Sequence, residues 1–154
     1  MTTEDERTAR IRTIEEVFHR GNIDALDEIT SPDVVYHVPP RPDVKGREAY
    51  KQYMAGMMKA LSGFRFTMQQ YIFEGGGDAV RWTIQGTHTG QFIQFPPSGK
   101  HAVWRSVGFF RVEDGLIREH WGIPDLLGLL IQIGVIPPPQ AASATGTVEA
   151  QVGR

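Results

Sequence analysis

The first part of the chain places apolar residues at helical spacing. Between residues 4 and 20, four apolar side chains recur every three or four positions within a charged segment: Ile11, Ile14, Val17 and Phe18. One face of the segment is therefore apolar, which predicts an amphipathic helix. Gly21 can end this helix, and Asn22 can cap a second short helix over residues 23–30, which Pro32 would stop.

A short β-rich run and a third helix come next. Residues 34–38 are rich in valine and aromatic side chains and predict a strand. Closely spaced prolines predict a loop over residues 39–46, because proline fits neither a helix interior nor a strand ladder. From residue 47 to 61, alanine, tyrosine and methionine recur at steps of three and four, which predicts the third helix.

The pattern changes after residue 63. Four segments rich in aromatic and β-branched residues predict the strands of an antiparallel meander, at residues 64–74, 78–90, 101–114 and 116–123. A last short helix is predicted over residues 126–133. Helices followed by an antiparallel sheet predict an α+β fold, with the helices over one face of a curved sheet and a cavity between the layers.

Composition narrows the classes of function. The chain has 16 Lys and Arg against 18 Asp and Glu, so it lacks the basic surface that attracts nucleic acid or an anionic membrane. It has no cysteine, which excludes disulfides, thiolate catalysis and cysteine-ligated metals. No apolar stretch is long enough to span a bilayer. We expect one cytoplasmic domain over residues 1–137 and a disordered tail over residues 138–154.

Asp125 is the first candidate for chemistry. It follows Pro124 and directly precedes the apolar run of the last helix, where aspartate is a favoured N-cap. A catalytic carboxylate at this position would instead need to face an apolar cavity. The residue pattern alone leaves both roles open, and one side chain can have both.

Several motifs, taken together, resemble the SnoaL-like polyketide cyclase family. They occur in this order: "KGREAYKQY", "VRWTIQGTHTG", "PPSGK", "FFRVEDGLIREHW" and "DLLGLLIQIG". The similarity extends from the first helix to Pro137, and the family belongs to the wider superfamily of nuclear transport factor 2 and ketosteroid isomerase. The resemblance implies a cone-shaped α+β barrel, a homodimer formed through the outer face of the sheet, and chemistry that uses no cofactor and no metal.

The resemblance also implies roles for Asp125 and His120. In the characterised cyclases, an aspartate at the start of the last helix is the general acid/base for an intramolecular aldol closure, and Asp125 matches that position. His120 matches a position that lines the cavity of ketosteroid isomerases. Simple strand alternation would place His120 outside, because the apolar parity contains Ile117, Trp121 and Ile123.

Two positions depart from the isomerase pattern. His37 matches the aspartate that is the proton-transfer base of the isomerases, and Gly108 matches their second, proton-donating aspartate. Both departures argue against isomerase chemistry. His37 remains a candidate for binding or deprotonating the substrate, or else is a histidine at a strand end bonded to a loop.

The expected cavity wall is apolar and wide. By the same alignment, one parity of a meander strand faces the cavity: Trp104, Ser106, Gly108 and Phe110. Tyr53 and Met57 of the third helix would close it from the other side. His88 of "GTHTG" is a further candidate for substrate contact, or a residue that stabilises a turn. For each aromatic residue, ordinary core packing is the alternative interpretation.

Three functions stay open at this point. The first is a cofactor-independent cyclase that acts on an apolar, polyketide-like carbonyl compound, with Asp125 shuttling the proton and His120 or His37 assisting at the carbonyl. The second is a non-catalytic small-molecule-binding protein with the same pocket. The third is an isomerase, dehydratase or epoxide hydrolase on the same fold.

Overall fold

The structure, a computed structural model, describes residues 4–140. Within these residues the helices are α1 (Glu4–Arg20), α2 (Arg47–Ala60) and α3 (Leu126–Gln132), with a short 3-10 helix at Ile23–Glu28. The strands are β1 (Thr30–His37), β2 (Val44–Lys45), β3 (Leu61–Glu74), β4 (Gly77–His88), β5 (His101–Glu113) and β6 (Leu116–Pro124). The predicted tail from residue 141 onward lies outside the described residues.

The six strands form one sheet in the order β2-β1-β6-β5-β4-β3. Strands β3 to β6 are the predicted antiparallel meander. The tight β5–β6 turn contains Asp114 and Gly115, both with positive φ, as a two-residue hairpin requires. The sheet is not purely antiparallel, because β1 pairs with β6 in parallel. It also stays open, since β2 and β3 form its two edges rather than pairing with each other to close a barrel.

Helices α1 and α2 cover the inner face of the sheet, so the predicted α+β arrangement is confirmed. α1 packs on β3, while α2 packs on β1 and β3. Phe18 of α1 stacks on Phe66 of β3, with ring centroids 4.2 Å apart. The buried core fills the space between the layers, and burying these apolar side chains supplies most of the favourable free energy of folding.

The largest error in the predicted elements lies around Pro32. The second helix is only a 3-10 helix that ends at Glu28, and Asn22 makes no side-chain cap bond. Strand β1 already begins at Thr30, so Pro32 lies inside a strand and does not stop a helix. The pairing of β1 with β6 shifts register between Thr30 and Val35, and proline is tolerated at such an irregularity.

The other differences are small. The predicted loop over residues 39–46 contains the two-residue strand β2, which pairs with β1. Helices α2 and α3 each end one residue before their predicted ends. Within residues 4–140, no helix is both long and apolar enough to cross a membrane.

Candidate functional site

A cavity of about 70 Å³ lies between the helices and the inner face of the sheet. Its wall is mostly aromatic and aliphatic. Six residues expected in the wall all line it: Tyr53, Met57, Trp104, Ser106, Gly108 and Phe110. The β5 residues reach it because side chains alternate between the two faces of a strand, and β5 shows this alternation of buried and exposed positions.

His120 of β6 is the histidine that lines this cavity. Its side chain lies between the rings of Tyr36 and Phe110, each with its centroid 4.3 Å from the imidazole centroid. Nδ1 is 3.0 Å from the hydroxyl of Tyr50 on α2. Nε2 lies over Gly108, where an added Cβ would stand 3.2 Å from that nitrogen. The glycine therefore leaves room for the imidazole.

Burial keeps this imidazole neutral. Desolvation, followed by the nearby positive charge of His37, lowers the pKa of His120 to about 3. A histidine that is neutral throughout the physiological range can donate or accept a hydrogen bond without bringing a charge into the cavity. Burial likewise raises the pKa of Tyr50 and Tyr36, so both phenols stay protonated.

A bulge in β6 explains why His120 faces inward. Val112 pairs with Ile117 and Arg111 pairs with Glu119, so β6 carries one extra residue, Arg118, between these pairs. The extra residue reverses the alternation: Ile117 and His120 are both buried, whereas Trp121 is exposed. The expectation from simple alternation, with Ile117 and Trp121 on one face, is wrong for this reason.

His37 lies on the opposite face of the sheet from the cavity. Its Nε2 is 3.0 Å from a carboxylate oxygen of Glu119, and its Nδ1 is 2.8 Å from one of Asp43. Its ring stacks on Trp121, with centroids 5.2 Å apart. The Glu119 and Asp43 carboxylates raise the pKa of His37. The neighbouring Tyr36 is the β1 side chain that enters the cavity, so the structure contradicts the expected placement of His37.

His88 is fully buried but does not line the cavity. Its Nδ1 accepts from the backbone N–H of Ser98 at 3.2 Å and lies 3.0 Å from the Ser98 hydroxyl. The backbone of His88 also bonds to Lys100 and Gly99. His88 therefore holds the loop between β4 and β5, the alternative given for it above, and the structure corrects its placement as a substrate contact.

Asp125 is an exposed N-cap in this structure. Its side chain accepts a hydrogen bond from the backbone N–H of Gly128 at 2.8 Å, and it is not part of the cavity wall. Its two neighbours, Pro124 and Leu126, line a small adjoining pocket of about 40 Å³ that shares Tyr53 and Trp104 with the cavity. We call this adjoining pocket the mouth of the cavity. Asp125 lies beside it, with its carboxylate hydrogen-bonded to its own helix.

Comparison with known proteins agrees with this architecture. The family described as "SnoaL-like polyketide cyclase" matches residues 8–133. The chain belongs to this family. Membership confirms the resemblance seen in the sequence and the expectation of a cyclase-type enzyme.

Two curated relatives and one solved structure show the degree of similarity within the SnoaL-like family. Aklanonic acid methyl ester cyclase DauD of Streptomyces sp. (strain C5) is 27% identical over 131 residues, covering 80% of this chain and 79% of the relative. Nogalonic acid methyl ester cyclase of Streptomyces nogalater is 28% identical over 120 residues, covering 76% and 89%. IdmH of Streptomyces antibioticus, a candidate polyketide cyclase, is 29% identical with a TM-score of 0.72, covering 83% and 98%.

Two cavity residues of this SnoaL-like protein were missed in the sequence. Tyr36 shares its strand parity with Val34 and Val38, and all three are buried, so alternation alone could have selected it over His37. Tyr50 precedes Tyr53 by three residues on the same face of α2.

Within residues 4–140, no group of three His, Asp or Glu side chains is placed to hold a metal ion.

Proposed function

We propose that this protein is a cyclase that closes a ring in an apolar, polyketide-like carbonyl compound by an intramolecular aldol-type reaction, without a cofactor. The observation that carries this proposal is a neutral, buried His120 in the wall of an otherwise apolar cavity. The named relatives act on aklanonic and nogalonic acid methyl esters, which makes these two esters the first substrates to assay.

His120 binds the carbonyl oxygen in this proposal. Among the described residues, the Tyr50 hydroxyl has only His120 Nδ1 as a hydrogen-bond partner, so it serves as the donor of that bond. Nε2 then carries the ring proton and donates into the cavity. A neutral imidazole in this role stabilises the negative charge that develops on an enolate oxygen.

Asp125 transfers the proton. Rotation of its side chain away from Gly128 would bring the carboxylate to the mouth, since Pro124 lines both the mouth and the cavity. The carboxylate removes a proton from the carbon beside one carbonyl, and the resulting carbanion attacks a second carbonyl carbon. The alkoxide that forms takes the proton back from Asp125, so the reaction is balanced without a further reactant.

The size of the cavity bears on how the substrate enters. Ligand sites of drug-sized molecules measure roughly 300–1,000 Å³, which is several times the volume of this cavity. Side chains shared by the cavity and the mouth, such as Tyr53 and Met57, would have to move apart. Methionine suits this position because its unbranched side chain adapts to irregular shapes.

A non-catalytic binding protein is the second candidate, and one observation favours it. The exposed Asp125 carboxylate already accepts a hydrogen bond as a helix cap, which accounts for an aspartate here without chemistry. The same apolar cavity would then bind a carbonyl compound without converting it.

Asp125→Asn separates these two functions. Asparagine caps a helix about as well as aspartate, so the melting temperature should stay within about 2 °C of wild type. Loss of a general acid/base should lower turnover of the two methyl esters by roughly 100-fold or more. Product formation by chromatography and thermal melting are the measurements.

Asp114→Asn, in the exposed β5–β6 turn, is the matched control and should turn over normally. Wild-type turnover by Asp125→Asn would remove this residue from the mechanism. Tight binding of both esters by the wild type without any product would favour the binding protein.

A further inference from the structure

A groove of about 240 Å³ lies on the surface beside the mouth. Five residues line both the groove and the mouth: Arg41, Tyr53, Met57, Phe92 and Ile93. Tyr53 and Met57 also line the cavity. The cavity, the mouth and the groove therefore follow one another from the interior of the protein to its surface.

The small cavity makes the groove part of the site of any larger ligand. A cavity of about 70 Å³ encloses only part of a drug-sized molecule, whose sites measure roughly 300–1,000 Å³. The remainder of such a ligand extends through the mouth, past Tyr53, and into the groove. The cavity and the mouth are mostly apolar, whereas the groove adds the side-chain amides of Gln52 and Gln91. We therefore expect the outer part of the ligand to be polar.

Arg41 carries the charge along this path. Within residues 4–140, no Asp, Glu or Lys lines the cavity, the mouth or the groove, and His120 is neutral. The acid nearest to Arg41 in sequence, Asp43, is bonded to His37 instead. Among the described residues, no carboxylate forms an ion pair with the Arg41 guanidinium. A guanidinium without a counter-charge at the edge of an apolar site attracts a carboxylate, whose two oxygens match its planar N–H groups.

The local backbone and one aromatic ring hold Arg41 beside this path. Its backbone N–H donates to the Val38 carbonyl at 3.1 Å, which closes a turn around Pro39 and Pro40. The fixed φ of proline limits the freedom of such a turn. The guanidinium carbon of Arg41 lies 5.5 Å from the centroid of the Tyr53 ring, within the range of a cation–π contact. A side chain held in advance loses less conformational entropy when a ligand binds.

The Asp125 carboxylate does not belong to the groove. Its two neighbours, Pro124 and Leu126, line the mouth but not the groove. A carboxylate bound in the groove beside Arg41 would therefore leave Asp125 free to act at the mouth.

We propose that Arg41 and the groove form a carboxylate subsite, so that the preferred ligand is an apolar carbonyl compound with a free carboxylate at its outer end. This inference rests on the proposed function for the use of the cavity, and it adds a substrate class to it. The apolar body of the ligand lies in the cavity against His120, and its carboxylate pairs with Arg41. The protein then binds an acid more tightly than the neutral ester of the same acid.

The test compares two ligands of nearly equal shape, 4-(2-naphthyl)butanoate and 4-(2-naphthyl)butanamide, which differ by one negative charge at neutral pH. Their dissociation constants are measured by calorimetry on wild type and two variants. Arg41 is exposed and water screens its charge, so wild type should prefer the butanoate about fivefold. Arg41→Gln should bring the two dissociation constants to within about twofold of each other.

Arg12→Gln is the matched control. Arg12 is exposed on α1 and lines neither the cavity, the mouth nor the groove, so this variant should keep the wild-type preference. A crystal structure of the wild-type complex with the butanoate supplies the second arm. We expect the naphthyl group in the cavity and the carboxylate within hydrogen-bond distance of the Arg41 guanidinium.

Four results would each overturn the subsite: equal affinity of wild type for the two ligands, a preference that Arg41→Gln retains, a bound carboxylate away from Arg41, or no binding of either ligand. Turnover of the neutral methyl esters without a preference for the butanoate would reject the subsite and leave the proposed function standing. A preference that depends on Arg41, without turnover of either ester, would support the subsite and reject the cyclase.

Discussion

At the scale of single residues, His120 shows how burial decides chemistry. The ring is enclosed by Tyr36, Phe110 and Tyr50, and the resulting desolvation outweighs any benefit of a charge. The folded protein therefore excludes a proton that the unfolded chain would bind. The free energy of unfolding should fall as the pH is lowered from about 6.5, the ordinary histidine pKa, toward about 3.

His120→Phe should remove this dependence on pH. Between pH 6.0 and 5.0, protonation of the unfolded chain at His120 should cost wild type roughly 1 kcal/mol of stability that the variant does not lose. His37 does not lower the free energy of unfolding in this range. Its pKa is raised in the folded protein, so the folded protein binds this proton at least as tightly as the unfolded chain does. Urea unfolding at the two pH values measures the difference.

Tyr50→Phe is the control for this experiment. It removes the hydrogen bond to Nδ1 but keeps the imidazole, so its pH dependence should match wild type. Parallel pH dependence of wild type and His120→Phe would mean that the folded protein tolerates a charged His120, and the neutral donor in the proposed mechanism would then be wrong.

Residue placement was predictable only where alternation stays regular. β5 has an exposed or half-buried residue between successive buried ones, so the spacing put Trp104, Gly108 and Phe110 on one face, and the family resemblance indicated that this face lines the cavity. His120 required the family resemblance, because the bulge at Arg118 reverses the alternation of β6. The contact of Arg10 with Asp78, 68 residues away, leaves no periodic signal in the sequence.

At the scale of elements, helix α3 packs on the sheet through Leu129 and also bonds to the backbone of β5 through the side chain of Gln132. The Gln132 amide accepts from the backbone N–H of Val103 at 2.8 Å and donates to its carbonyl at 2.8 Å. These two bonds resemble those that a neighbouring strand would make. They lie on the part of β5 before Ser106, which has no β6 partner because β6 ends opposite Ser106. Leu126 and Leu129 of the same helix line the mouth, so this contact sets the position of one side of the entrance.

Gln132→Ala should therefore loosen α3. Loss of the two hydrogen bonds to β5, and of a longer one to the Gly128 carbonyl at 3.2 Å, should lower the free energy of unfolding by about 1–2 kcal/mol, and amide exchange in α3 should become faster than in α2. Chemical denaturation and hydrogen exchange are the measurements. Gln94→Ala, in the exposed loop before β5, is the control and should change stability by less than about 0.5 kcal/mol. Unchanged exchange in α3 would show that packing alone holds this helix.

Most elements could be predicted, because their apolar residues repeat at a regular spacing over most of the helix or strand. α1, α2 and the four meander strands agree with the structure to within a few residues. The segment around Pro32 could not be predicted, since the start of its strand pairs in parallel with β6, which lies about 85 residues later in the chain. Local sequence contains no information on such a partner, and tertiary contacts override the local preference.

At the scale of the whole molecule, the outer face of the sheet is unusually apolar. Large hydrophobic side chains on β5 and β6 are between 37% and 58% exposed: Val103, Val107, Phe109, Trp121 and Ile123. Contiguous apolar surface of this kind marks an interaction site more often than free surface. The cavity opens on the other side of the sheet, so a partner covering this face would leave the entrance free.

We propose that a second copy of the chain covers this face, and the last prediction concerns that dimer. Phe109→Glu puts a charge in the centre of the apolar surface, directly beside Trp121 of the neighbouring strand. Because burying an unpaired carboxylate at an interface is costly, the variant should be a monomer of 17.2 kDa, whereas wild type should have twice that mass. Light scattering with size-exclusion chromatography at about 10 μM measures both.

Leu127→Glu is the matched control for the dimer. Leu127 is 59% exposed, but it lies on α3 rather than on the outer face, so this variant should remain a dimer. Both variants should retain the wild-type turnover of the two methyl esters, because neither Phe109 nor Leu127 lines the cavity. A monomeric wild type, or a Phe109→Glu variant that still dimerises, would show that the apolar face has another role.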